Sequence, residues 1–135
     1  MGYAIEEIEG IGKAHGEKLR AAGIKDTDAL LAKCAGPKDR VALAAAAGVS
    51  EALVLKWANR ADLMRVKGIG EQFSDLLEAA GVDTVPELAQ RNAANLHAAL
   101  SKANEAKNLV RQLPAPKTVE EWIAAAKGLP RALTY

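Results

Sequence analysis

One stretch of this chain recurs 58 residues later without a gap, and any fold must accommodate both copies. Ile8-Glu9-Gly10-Ile11-Gly12 stands opposite Val66-Lys67-Gly68-Ile69-Gly70. Downstream, Leu19-Arg20-Ala21-Ala22-Gly23-Ile24 stands opposite Leu77-Glu78-Ala79-Ala80-Gly81-Val82, and Leu30 falls opposite Leu88. The repeat predicts two related units, residues 1–65 and residues 66–135, the second carrying a C-terminal helix and a short tail. At 135 residues they are expected to share a core and pack as one compact domain.

Two glycines around one apolar residue make a tight corner, because glycine tolerates positive φ and lets backbones approach closely. Ile11 and Ile69 would anchor the two corners in the core. After the second corner, Phe73, Leu76, Leu77 and Ala80 are spaced i, i+3, i+4 and i+7, one face of a helix. Gly23 and Gly81 then stop the two post-corner helices in the left-handed manner. Before each corner, Ile5 and Ile8, or Leu63 and Val66, have the spacing of a short helix. Each unit reads helix, glycine corner, helix.

Ile8-Glu9-Gly10-Ile11-Gly12 followed by Gly16 and Leu19 resembles the helix-hairpin-helix motif of DNA-binding and DNA-repair proteins, and Ser74 and Leu77 fill the same two places in the second copy. From Tyr3 to about Leu129 the chain also resembles an uncharacterised bacterial family of tandem helix-hairpin-helix proteins. Ala61-Asp62-Leu63-Met64-Arg65 and the ending around Trp122, Ile123 and Lys127 carry that likeness. It implies an all-α fold and no assigned activity. The hairpin resemblance implies non-specific contact with the DNA backbone, the corner amides and the following helix N-terminus facing a phosphate. The contact groups it implies are the backbone amides of Gly10, Gly12 and Lys13, and of Gly68, Gly70 and Glu71. Lys13 would assist, with Lys18, Arg20, Arg65 and Lys67 as electrostatic support. Two residues depart from the pattern. Glu71 puts an acid at the phosphate-facing position, and Glu9 stands where the motif often has proline.

The charge is nearly balanced, with 18 basic and 17 acidic residues and a net charge of +1. Residues 1–65 hold 10 basic and 9 acidic residues, the remainder 8 and 8, so neither unit has the excess usual in a strong nucleic-acid binder. Half of the residues are hydrophobic, but many are alanine, which suits closely packed helices. The lone Cys34 cannot form an internal disulfide, which fits a reducing cytoplasm. The N-terminus has no signal-peptide pattern, and no apolar run approaches membrane-spanning length.

Along the chain, a short helix is expected over residues 3–9, and helices over 13–22 and from Asp26 to about Lys33. His15 and Lys18 replace Phe73 and Leu76, so the first post-corner helix is expected to be the more exposed. Gly36-Pro37 breaks the chain before a helix over about 38–47. Ser50 caps the next, whose stripe runs Leu53, Trp57, Arg60 and Ala61, Met64. In the second unit, helices are expected over 71–80 and 85–91, the latter opened by a Thr84-x-x-Glu87 capping box with Pro86 in the first turn. A long helical stretch covers 92–112. Pro114-Ala115-Pro116 reads as a linker, Thr118-x-x-Glu121 as a capping box for the last helix, and the residues after Gly128 as an irregular tail. Trp57 and Trp122 are read as equivalent core residues, and Asp75 and Glu78 as surface acids. No stretch alternates like a strand, so the chain is read as all-α.

Catalytic chemistry is not expected. Gly10-Ile11-Gly12-Lys13-Ala14-His15-Gly16 fits neither a dinucleotide fingerprint nor a P-loop. Hairpin-class glycosylases place a lysine and an aspartate where Ala14 and Gln72 stand here. His15, His97 and one cysteine offer no metal-ligand spacing, and no cofactor is implied. Two readings stay open: a non-enzymatic module on the backbone of duplex DNA, or a helical scaffold that docks a protein partner or another copy of itself.

Overall fold

The computed structural model describes residues 2–8 and 10–135, so the expectation at Glu9 lies outside the described residues. These residues form eight helices: α1 (Gly12–Ala21), α2 (Thr27–Lys33), α3 (Pro37–Ala47), α4 (Glu51–Leu63), α5 (Glu71–Ala79), α6 (Val85–Ala89), α7 (Ala93–Lys107) and α8 (Pro116–Gly128). A single 3-10 turn, Ile5–Glu7, precedes them in place of the expected helix. Its sequence neighbours are pulled instead into an antiparallel bridge between Ala4 and Asp26, where Ile5 N donates to Lys25 O and Thr27 N to Tyr3 O. No strand is formed among the described residues, and the molecule is an all-helical, compact body.

Local chemistry explains most helix starts. Asp26 accepts from Ala29 N, Ser50 from Leu53 N, Thr84 from Glu87 N and Asn92 from Asn95 N, each satisfying an amide that the helix itself leaves open. Two boundaries differ from expectation. Pro116 is the first residue of α8 rather than part of a linker, because its fixed φ and missing N–H suit that position. Thr118 therefore lies inside the helix, and no side chain caps α8. Helix α7 ends at Lys107, short of the expected stretch, because Asn108 turns left-handed at φ 51°. The Asn104 side chain then takes up both backbone groups of Val110, so continuing the helix gains nothing.

The hydrogen bonds of the chain repeat at the same spacing as its sequence. Ile8 N donates to Ile5 O, and Val66 N to Leu63 O. After each post-corner helix, Ile24 N reaches Leu19 O and Val82 N reaches Leu77 O, at 2.9 and 2.8 Å. Gly23 and Gly81 take φ of 88° and 93° there, the left-handed stop that the sequence predicts. In the first half, α2 and α3 pack on α4; in the second, α6 and α7 pack on α8. Trp57 of α4 and Trp122 of α8 are both buried, and each lies 5.2 Å from a ring in the opening turn region of its own half, His15 and Phe73. The expected equivalence of the two tryptophans thus has a geometric counterpart.

Each half gathers its own apolar cluster. One runs from Ile5 to Met64, and the other from Leu63 to Ala126. Leu19, Leu30, Leu77 and Leu88 are fully buried at matching positions. Each such side chain contributes on the order of 1.5–3 kcal/mol by leaving water. Polar groups stitch the seam between the clusters. Buried Arg60 of α4 pairs with Asp75 of α5, and its Nε donates to Glu78 Oε2 at 2.8 Å. Asp75 and Glu78 are therefore half-buried partners of a buried cation, not the surface acids expected from their spacing. Asp62, 1% exposed, accepts from Val85 N at the start of α6 and from Arg65 Nε, both at 2.9 Å. The segment after α8 has no regular structure, yet it returns to the first half, where Leu133 joins the first cluster.

Candidate functional site

Both glycine corners lie on the surface, each anchored by a buried aliphatic residue. Ile11 N donates to Ile8 O, and Ile69 N to Val66 O, and all four residues are almost fully buried. Gly10 and Gly68 sit at the turn with φ of 90° and 93°, a conformation that disfavours any side chain. The second glycines differ. Gly12 is left-handed at φ 63°, whereas Gly70 is extended, with φ −111° and ψ −155°. The N-cap residues Ile11 and Gly70 give α1 and α5 no side-chain cap.

The two corners are walled differently. A Cβ at Gly68 would lie 3.3 Å from the Trp122 indole nitrogen, and one at Gly70 would lie 3.8 Å from the Tyr3 ring. A Cβ at Gly10 or Gly12 meets nothing within 4 Å. Lys67, Gly68, Phe73, Thr118, Glu121 and Trp122 line a groove of about 450 Å³ beside the second corner. The small residue after each corner is used differently too. Gly16 lets the Glu6 carboxylate pass close over α1, whereas Ser74 turns its hydroxyl onto Glu71 O.

The five cations of the candidate set separate into two groups. Arg20 is committed to Glu6 through two hydrogen bonds of 2.8 and 2.6 Å. Those bonds hold the Glu6 carboxyl down to about 2, and they raise the pKa of Arg20 in turn. Arg65 is committed to buried Asp62 and to Pro130 O. Lys13, Lys18 and Lys67 are exposed and form no ion pair with another described residue. Two cations are thus held within the fold, and three have no ion-pair partner among the described residues.

Sequence reasoning missed Tyr3, Phe73 and Trp122 as corner walls. The only signal for Trp122 was its equivalence to Trp57; Tyr3 gave none. His15, expected on the more exposed post-corner helix, is half-buried against Trp57. His97 is half-buried with its Nε2 3.0 Å from Pro114 O. No group of three or more His, Cys, Asp or Glu side chains is arranged to hold a metal among the described residues. Cys34 is buried, and desolvation pushes its thiol up to about 11, away from the reactive thiolate.

These features define an all-helical protein with a pair of surface glycine corners, each opening an uncapped helix. The chain matches a family described as a domain of unknown function, DUF4332, over residues 9–129, and it belongs to that family. No curated protein and no solved structure matches it.

Proposed function

We propose that this chain is a non-enzymatic tandem helix-hairpin-helix protein of the cytoplasm that binds duplex DNA through its phosphate backbone, without sequence preference. The observation that carries the reading is the pair of exposed corners, each leading into a helix whose N-cap residue supplies no side-chain cap. Open amides and the positive end of a helix suit an anion. Lys13 stands in the first turn of α1, Lys18 lies one turn on, and Lys67 flanks the second corner, all exposed. Gly10, Gly12, Gly68 and Gly70 would bring the backbone close to the phosphate. Arg20 and Arg65 act through the fold, by fixing the approach to the first corner and the exit from α4. The proposed role is binding alone.

The test is a fluorescence-anisotropy titration of a labelled duplex at low and near-physiological salt. Three lysine–phosphate contacts predict a slope of log K against log salt of about −3, and Lys13→Glu should weaken binding and flatten the slope by about 1. Absence of binding at low salt would defeat the reading.

A second reading, a helical scaffold for a protein partner or a second copy, has its own observation. Alanine-lined grooves recur at corresponding places in the two halves. One is lined by Ala22, Ala42, Leu43 and Ala46, the other by Ala80, Ala99, Ala103 and Ala106. Small residues allow another helix to approach closely. A strict monomer in light scattering, together with no partner in a pull-down, would remove this alternative.

A further inference from the structure

The segment that follows α8 makes more specific contacts than an irregular chain end requires. Leu133 is 2% exposed and lies in the apolar cluster of the first half. Thr134 N and Oγ1 both donate to Ala35 O, at 2.7 and 3.1 Å. Thr134 O accepts from Arg40 at 2.7 Å, and the Arg40 guanidinium lies 5.4 Å from the centre of the Tyr135 ring. The Tyr135 hydroxyl donates to Asn59 Oδ1 at 2.8 Å. Every one of these partners belongs to α4, to α3 or to the loop that joins α2 and α3, and so to the half of the chain from which α8 is most distant in sequence.

The receiving surface does not need the segment to keep its shape. Arg40 is buried, and its other nitrogen donates to Cys34 O at 2.8 Å and to Ala35 O at 3.4 Å, so its own half positions it. The α3 and α4 ladders close without residues 130–135. The segment itself has no backbone hydrogen bond within its own span. Its first fixed point is Pro130 O on Arg65; between that point and Leu133, Arg131 is exposed and Ala132 is half-buried on the first cluster.

From this asymmetry, a ready-made receptor and an unsupported occupant, we propose that residues 130–135 are a releasable strap. It closes over a groove on α3 and α4 and opens as a unit while all eight helices stay folded. Closed, it ties the end of the second half to the first. Open, it uncovers the apolar site of Leu133, the Arg40 guanidinium and the Ala35 and Asn59 acceptors, the chemistry that receives an extended peptide backbone with one buried aliphatic side chain. Apart from the Pro130–Arg65 contact, the strap's grip lies on α3, α4 and the loop between α2 and α3, away from the glycine corners.

Amide hydrogen exchange read by NMR on the full chain tests this. The Thr134 amide should exchange at least about tenfold more slowly than in an unstructured peptide, and far faster than the core amides of Val54 and Leu77. Leu133→Ala should return Thr134 to the rate of an unstructured peptide and leave those core amides unchanged. Tyr135→Ala, which removes the Asn59 hydrogen bond and the Arg40 ring contact but no core side chain, should lower Thr134 protection partway and provides the check should Leu133→Ala fail to fold. A free-peptide rate at Thr134 in the wild-type protein overturns the proposal, because nothing is then strapped. A Thr134 rate equal to that of the core amides overturns it as well, because the segment then opens only with global unfolding.

Discussion

Glu6 lies at the surface, yet its carboxyl is held down to about 2 by the Arg20 hydrogen bonds. Its folded value lies below the ordinary carboxylate value of about 4.3. The contribution to stability is therefore complete above that ordinary value and is lost as pH falls from there through about 2. A carbon-detected NMR titration should find the Glu6 midpoint near 2. In Arg20→Ala it should return to the ordinary range, and the 3-10 turn should loosen over α1. Solvent screens this pair, so the effect on global stability should be small. Cys34 shows the opposite case. Burial makes its thiol a poor nucleophile, so a disulfide reagent should leave native protein unmodified and label it fully once urea unfolds the chain. Rapid labelling of native protein would contradict the burial.

The corners behave as elements rather than as single residues, and their glycines are not interchangeable. Gly68 combines a left-handed φ with Trp122 only 3.3 Å from any added Cβ, so Gly68→Ala should cost about 1–3 kcal/mol in urea denaturation. Gly70 is extended and has ordinary contact distance to Tyr3, so Gly70→Ala should change stability by no more than about 0.5 kcal/mol. Equal costs at the two sites would mean that the second corner is built differently. The repeat itself was legible, because a glycine flanked by buried aliphatics at a fixed interval has few physical uses. The Gly12–Gly70 difference was not legible. The residues are identical, and only their surroundings, open space for one and the Tyr3 ring for the other, distinguish them. Which of the candidate cations are paired within the fold was not legible. What separates Lys13 from Arg20 is a carboxylate fourteen residues away in sequence, brought over α1 by the absence of a side chain at Gly16. Arg60, Asp75 and Glu78 were misjudged for a related reason. Acids spaced along a helix usually face water, and their buried cation sits on another helix.

At the scale of the molecule, the two apolar clusters meet across a polar seam, and that seam decides whether the halves fold as one. Asp62 is its most demanding member, because it is 1% exposed and satisfies both a buried amide and a guanidinium. Asp62→Ala would leave Val85 N–H without its acceptor and Arg65 without its counter-charge. Removing one member of such a buried set costs about 3–5 kcal/mol. The tryptophans make the consequence readable, since Trp57 reports on the first half and Trp122 on the second. In Trp57→Phe and Trp122→Phe proteins, each remaining fluorophore should give a urea transition that coincides with the far-ultraviolet circular dichroism curve of the same variant, as two-state unfolding requires. Adding Asp62→Ala should move both curves to lower urea. If the seam alone couples the halves, that substitution should also separate the curves read by Trp57 and Trp122. If the curves move yet remain coincident, contacts between the halves other than this seam carry the coupling. Separate transitions in the wild-type seam and strap would instead make the halves independent units joined only by the chain.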